Sequence, residues 1–210
     1  EALGSFYNKK PCGTLCNFGA LSFNGNKIIT GSSGGCFLTD DEEAANKVRK
    51  WSTQSREAAP WYQHEEVGYN YRMSNISASI GLGQLEVLSE HIQHRKQNHH
   101  FYKQLFENLS EVTLHQEPNE DFISNHWLTV IQLASFEQRE ALRLHLEKYN
   151  IESRPVWKPM HLQPLFQDNL YFGDDLADKL FDNGLCLPSG SNLSEEDKNC
   201  IKEAIELFFN

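Results

Sequence analysis

Lys27 is the residue whose type and setting most invite chemistry. It sits at the tip of a Gly/Asn turn, Ser22-Phe23-Asn24-Gly25-Asn26-Lys27. An apolar, strand-like run from Phe18 to Phe23 precedes it, and the β-branched run Ile28-Ile29-Thr30 follows. A lysine pinned between two short strands is partly desolvated, which disfavours the ammonium and frees the lone pair that carbonyl chemistry requires. The same spacing suits a solvated lysine on a hairpin tip, and the turn alone does not choose between them. A second candidate region is the stretch 52–73, where periodicity is lost. Trp61, Tyr62, Tyr69 and Tyr71 are interleaved there with Arg56, His64, Asn70 and Arg72. A loop of this length is a functional surface or an aromatic-rich segment packing on its own domain, and its four rings argue against disorder.

Metal chemistry finds less support. Cys12 and Cys16 lie four apart in a Pro/Gly loop, but a structural metal would need a second close pair and the sequence has none. His91, His94, His99 and His100 come without a carboxylate pattern and read as a solvated helix face. No metal is expected.

The elements that must position these residues are legible in outline. Residues 1–40 read as a short helix remnant followed by strands near 18–23, 28–30 and 35–39. Thr39-Asp40-Asp41-Glu42-Glu43 starts a helix that runs to about Thr53. Ser74-Asn75-Ile76 starts a long helical stretch carrying Ile76, Ile80, Leu85, Leu88 and Ile92. Strands are expected at 112–114 and 126–133, and a helix over 137–149 with Asn150 as a left-handed cap. An extended segment follows over 153–161 because of its prolines. A helix near 174–182, a strand at 184–188 and a final helix capped by Ser194 complete the chain. The division implied is 1–73, then connecting helices over 74–108, then an α+β domain over 109–210.

Composition narrows the partners. The chain has 210 residues, 39% of them hydrophobic, enough for one large domain or two small ones. With 29 acidic against 19 basic residues the net charge is −10, which repels phosphate backbones and excludes nucleic acid as a general partner. An anionic small ligand would need local cations. No apolar run reaches about 18 residues and no signal-peptide pattern is present, so a soluble chain without a membrane partner is expected. Five scattered cysteines, at 12, 16, 36, 186 and 200, do not form a disulfide framework and point to a reducing, cytoplasmic setting. The opening Glu1-Ala2-Leu3-Gly4-Ser5 reads as if cut from within a longer protein.

Three separated segments, taken together, resemble one family. They are Ser22 to Thr30, Gly68-Tyr69-Asn70-Tyr71-Arg72-Met73-Ser74-Asn75-Ile76, and Arg154-Pro155-Val156-Trp157-Lys158-Pro159-Met160-His161-Leu162-Gln163. Their order and content are similar to the pyridoxal-phosphate-dependent nucleotide-sugar aminotransferases of the DegT/DnrJ/EryC1/StrS group, over essentially the whole chain. The third segment, with Ser52-Thr53-Gln54 and Arg56, most resembles the bacillosamine-type enzymes that aminate a 4-keto-6-deoxy UDP-N-acetylhexosamine.

The resemblance implies roles. Lys27 matches the lysine that anchors pyridoxal 5'-phosphate covalently and then serves as general acid and base. Ser22 matches a serine that hydrogen-bonds the cofactor phosphate, and Glu1 a position near the cofactor's ring oxygen. Asn70 matches an asparagine that reaches the phosphate in a neighbouring subunit's site. A homodimer with shared active sites is therefore implied, with Arg56 and Tyr71 on the interface and substrate loop. Arg154, Lys158 and His161 fall in the segment that runs near the nucleotide sugar in relatives, where the amino donor is usually L-glutamate.

The implied fold class is α/β, a partial fold-type-I transferase: a remnant of the large, mostly parallel domain plus a complete small C-terminal α+β domain. For the full fold the chain is short by about half. The segment supplying the helix N-terminus for the phosphate, the ring-stacking aromatic and the aspartate for the pyridine nitrogen lies outside it. Ser33 stands where relatives often have glycine. Two readings follow. One is the C-terminal portion of an aminotransferase, inactive by itself. The other is a non-catalytic stand-alone fragment acting as a dimerising or nucleotide-sugar-binding module, whose uncovered apolar faces drive self-association.

Overall fold

The computed structural model describes residues 1–210. Along the chain run β1 (Phe6–Tyr7), β2 (Lys10–Pro11), β3 (Gly19–Ser22), β4 (Gly35–Leu38), α1 (Glu42–Ser52), α2 (Asn75–Glu86), α3 (Leu88–Leu105), β5 (Thr113–Leu114), β6 (Phe122–Ile123), β7 (Thr129–Gln132), α4 (Phe136–Lys148), β8 (Arg154–Pro155), α5 (Leu176–Asn183), β9 (Gly184–Leu187) and α6 (Glu195–Phe209). Two short 3-10 turns, Met160–Leu162 and Pro164–Phe166, lie between β8 and α5. Contacts divide the chain into two compact units. One holds Glu1–Gln93 with Glu117–Trp127, the other His94–Gln116 with Leu128–Asn210. This differs from the division at 73 and 108 read from sequence. The boundary falls inside α3, and residues 117–127 group with the N-terminal unit because β6 pairs with β1.

In the first unit the opening residues form a hairpin rather than the expected helix remnant. Asn8 and Lys9 both have positive φ, 47° and 65°, the two-residue turn that matches strand twist. β1 then pairs antiparallel with β2 on one side and β6 on the other. β3 and β4 pair antiparallel from Gly19↔Leu38 to Ser22↔Gly35. Every strand pairing in the chain is antiparallel.

The run Ile28-Ile29-Thr30 is not a strand. Consecutive Ile28 and Ile29 are both buried, whereas a strand would point them to opposite faces. Side chains replace a ladder partner here: His91 Nδ1 lies 3.1 Å from Ile28 O and Gln84 Oε1 accepts from Thr30 N at 3.3 Å.

α1 starts as its acids predict, with Asp41 accepting from Ala44 N. α2 is capped by Ser74 accepting from Ser77 N, and Val87 separates it from α3. Neither α1 nor α2 buries a residue, and Ile76, Ile80, Leu82 and Leu85 of α2 are exposed.

The stretch 52–73 carries no regular element, but it is fastened. Tyr69 N donates to Trp51 O and Gln54 N to Tyr69 O, with isolated bridges Thr53↔Asn70 and Arg56↔His64. Gln54 and Ser55 have positive φ. A β-carbon on Gly68 would lie 2.2 Å from Gln54 C and Ser55 N, so only glycine fits there. Lys50 Nζ bridges Glu57 (2.7 Å) and Glu66 (3.2 Å), and Trp51 Nε1 donates to Glu66 at 3.2 Å.

The second unit holds the larger core. Its sheet has the order β5-β7-β9-β8. Ile131, Leu185 and Leu187 pack with Leu142 and Leu146 of α4, Ile201 and Ile205 of α6, and Tyr102 of α3. The termini of its helices follow the sequence. Ser135 caps α4, Asn150 follows it at φ 57°, and Ser194 and Asp197 make a reciprocal capping box on α6. No helix of the chain is long and apolar enough to cross a membrane.

Two expected outcomes follow from this packing. Burial pushes the Cys186 thiol up to about 11, while Cys16, Cys36 and Cys200 are exposed. Iodoacetamide at pH 8 should therefore alkylate those three well before Cys186, as peptide mass mapping would show. The second outcome concerns the loop. Glu66 is held below the ordinary carboxylate range, first by the Trp51 N–H and then by Lys50. Its contribution is present above the unfolded-state value and is lost as pH falls through the lower folded value. Acidification should release hydrogen-exchange protection of the Gln54 and Tyr69 amides, Gly68→Ala should lose it at neutral pH, and Glu66→Gln should remove the acid dependence.

Candidate active site

The first unit brings Lys27 and Glu1 into direct contact. Nζ lies 2.6 Å from Glu1 Oε1, and the lysine side chain is only 12% exposed against 55% for the glutamate. The amine also lies 4.5 Å from the centre of the Trp127 ring. Of the two settings the sequence allowed, the shielded one is observed. The shielding does not come from flanking strands, since 28–30 forms none. Trp127, separated from the turn by about a hundred residues, and Glu1 are the side chains that contact the amine.

The turn itself is lightly held. Lys27 N donates to Asn24 O at 3.1 Å, and Asn24 N reaches Ser22 Oγ at a long 3.4 Å. Ser22 sits at the end of β3, and its hydroxyl proton reaches no protein acceptor. This donor set suits the anchoring end of a phosphate-bearing aldehyde. A shielded primary amine can condense with the carbonyl, and a hydroxyl donor five residues upstream remains available for a phosphate oxygen.

Asn70, Arg56 and Arg72 line a separate open pocket of about 610 Å³, with Ser52, Thr53 and Glu57. Glu57 is paired with Lys50, which it shares with Glu66. Arg56 lies over the Tyr62 ring at 4.3 Å and Arg72 has no ion pair, so the pocket is cationic within a chain of charge −10. Tyr71 is exposed and stacks on Tyr69 with centroids 5.1 Å apart. No hydrogen bond joins any of these residues to Lys27.

The remaining candidates belong to the second unit. Arg154 is exposed and bonds Glu152 at 2.7 Å. Lys158 is exposed without an ion pair. His161 Nε2 lies 2.7 Å from Asp178 Oδ1, and its ring stacks on Tyr171 at 3.8 Å. Of the helix histidines, His91 contacts Ile28 O, and His99 contacts His115 O at 3.0 Å. Sequence reasoning missed Trp127, Asn125 and Arg72. For Arg72 the signal was available, an arginine two residues from Asn70 in the same motif. For Asn125 and Trp127 no local signal existed.

EpsN of Bacillus subtilis (strain 168), described as a pyridoxal phosphate-dependent aminotransferase, is 42% identical over 209 residues, covering 98% of this chain and 54% of that protein. A GDP-perosamine synthase of Escherichia coli O157:H7 is 36% identical, covering 100% of this chain and 56% of the relative. Among solved structures, the pyridoxal phosphate form of Spr1654 from Streptococcus pneumoniae, described as a sugar aminotransferase, superposes with a TM-score of 0.90 at 28% identity. It covers 99% of this chain and 55% of that one. The chain thus spans about half the length of the curated relatives it matches. The model of the DegT/DnrJ/EryC1/StrS aminotransferase family matches residues 1–206, and the chain belongs to that family of pyridoxal phosphate-dependent enzymes.

Proposed function

We propose that this chain carries the covalent cofactor anchor of a nucleotide-sugar aminotransferase. In this reading the intact protein moves an amino group from an amino acid, L-glutamate, to the keto carbon of a 4-keto-6-deoxy nucleotide sugar. The observation that carries the reading is the shielded Lys27 amine, held between the Glu1 carboxylate and the Trp127 ring. Pyridoxal phosphate, when bound, supplies an electron sink for the charge left as a proton leaves carbon. The rest is done by the chain's own groups. Lys27 Nζ would hold the cofactor and, when free of it, would act as the base that takes the donor's α-proton and as the acid that delivers a proton to the sugar's C4. Ser22 Oγ donates to the phosphate, and Glu1 lies near the ring oxygen.

The cationic pocket of the 52–73 loop serves a second copy of the chain. Asn70 reaches that copy's phosphate, while Arg56 and Tyr71 contact substrate. Exposed α2 residues Ile76, Ile80, Leu82 and Leu85, with Tyr69 and Tyr71, support a homodimer. Arg154, Lys158 and His161 contact the diphosphate and sugar. Five free cysteines support a cytoplasmic setting.

For the nucleotide, the segment from Arg154 to His161 favours a UDP-N-acetyl-4-keto-hexosamine. The 36% identity to a GDP-perosamine synthase supports a second reading, a GDP sugar.

A visible-absorbance titration with pyridoxal phosphate tests the central reading. The wild-type chain should develop absorbance beyond that of the free cofactor, and Lys27→Ala should not. Absorbance that develops equally in both would overturn Lys27 as the anchor, and where neither develops it the same comparison in the protein extended to the length of its relatives decides. Thermal shifts separate the nucleotides: a larger rise in Tm with UDP than with GDP, lost in Lys158→Ala, supports the first, and the reverse order supports the second.

A further inference from the structure

The Lys27 turn is fixed by a stretch of chain about a hundred residues away. Trp127 Nε1 donates to Asn26 O at 2.8 Å, and the same indole lies 4.5 Å from Lys27 Nζ. Trp127 is buried and its backbone N–H donates to Asn125 Oδ1 at 2.9 Å. Asn125, buried as well, gives its amide protons to Glu1 O (2.7 Å) and Leu3 O (2.9 Å), and its backbone N–H donates to Ser5 Oγ (2.9 Å). Glu1 closes the circuit at Lys27. The lysine, its carboxylate partner, the ring above it and the asparagine holding both form one continuous set of contacts.

The segment delivering Trp127 is itself braced. β6 pairs with β1, Tyr7 and Phe122 stack at 4.8 Å, and Asn8 N donates to Asp121 O. His126, next to Trp127, has φ 47°. That left-handed conformation is unfavourable for a side chain of this size and persists only where the surroundings impose it. Here Glu117 supplies the restraint, 3.0 Å from His126 Nε2, with Ser124 Oγ accepting from His126 N. Nothing within the turn does comparable work: a β-carbon on Gly25 would meet nothing within 4 Å.

We propose that Trp127 is a positioning residue for the Lys27 amine and that Asn125 sets Trp127 in place. The indole face holds the ammonium against Glu1 by cation–π attraction and excludes water from it. The indole N–H pins the turn at Asn26 O. The inference rests on the aminotransferase reading only for its catalytic consequence, that the amine returns to one place each time it releases the cofactor.

The test is amine labelling of the 210-residue chain without cofactor. Acetic anhydride is used at limiting concentration, with exposed Lys158 as internal standard and mass spectrometry as readout. Lys27 should label more slowly than Lys158. Trp127→Leu, which keeps apolar bulk and loses the π face, should raise Lys27 labelling by roughly three- to tenfold. Trp127→Phe, which keeps a π face but loses the indole N–H, should label at a rate between those of the wild type and Trp127→Leu. Asn125→Ala should act in the same direction as Trp127→Leu. Unchanged labelling in Trp127→Leu, or equal labelling in the Leu and Phe variants, overturns the proposal. Should Trp127→Leu not fold, Asn125→Ala decides, because it leaves the ring in the chain, and unchanged labelling there overturns the proposal too. Failure of the two readings is separable. Slow labelling with pyridoxal phosphate absorbance equal in wild type and Lys27→Ala removes the cofactor role alone, and absorbance lost in Lys27→Ala with labelling insensitive to Trp127 removes the positioning role alone.

Discussion

The Lys27 ammonium faces a carboxylate at 2.6 Å and an indole ring at 4.5 Å, and the order of the first unit around the turn follows from holding those three groups together. A lysine side chain has four rotatable bonds and loses substantial rotamer entropy when fixed. A turn of Asn, Gly and Asn cannot supply that restraint. The hairpin at residues 6–11, the return of residues 117–127 and the left-handed His126 bear directly on it. The hairpin braces the returning segment through β6, and Asn125 and Trp127 of that segment bond Glu1 and Asn26.

The loop over 52–73 meets a related demand by other means. It is long and without periodicity, yet its backbone is tied at Trp51–Tyr69–Gln54 and its side chains at Lys50, Glu57 and Glu66. Pairing Glu57 with Lys50 and leaving Arg56 and Arg72 without carboxylate partners makes a cationic pocket on an acidic chain. Against a background charge of −10, such a pocket is where an anion gains most, since local contact outweighs the screened field of distant charges.

The second unit is built differently. Its helices bury apolar faces against a four-stranded antiparallel sheet, and β9 is buried along its length. Ser189 Oγ accepts from Thr129 N and Tyr102 donates to Pro188 O, while the Thr129 hydroxyl is buried without a partner. A core of this kind is specified largely by local periodicity and caps, so its helices appear close to where the sequence places them, while the strand expected at 126–133 shortens to Thr129–Gln132 because residues 126–127 belong to the first unit.

Sequence alone determined what local physics encodes. The caps at Asp41, Ser74, Ser135 and Ser194, the left-handed Asn150, strand β9 and the irregular loop all follow from short-range patterns. Tertiary structure alone decided three things. It turned Ile28-Ile29 from a strand into a buried plug, because side chains of α2 and α3 satisfy its backbone. It made the opening residues a hairpin, because β6 offers an edge to β1. It placed Trp127 over the lysine, where the sequence showed only an aromatic in a strand-like run. Contacts across a hundred residues leave no periodicity in the chain. They are selected by the burial and hydrogen bonds they complete, and those exist only once the chain has folded.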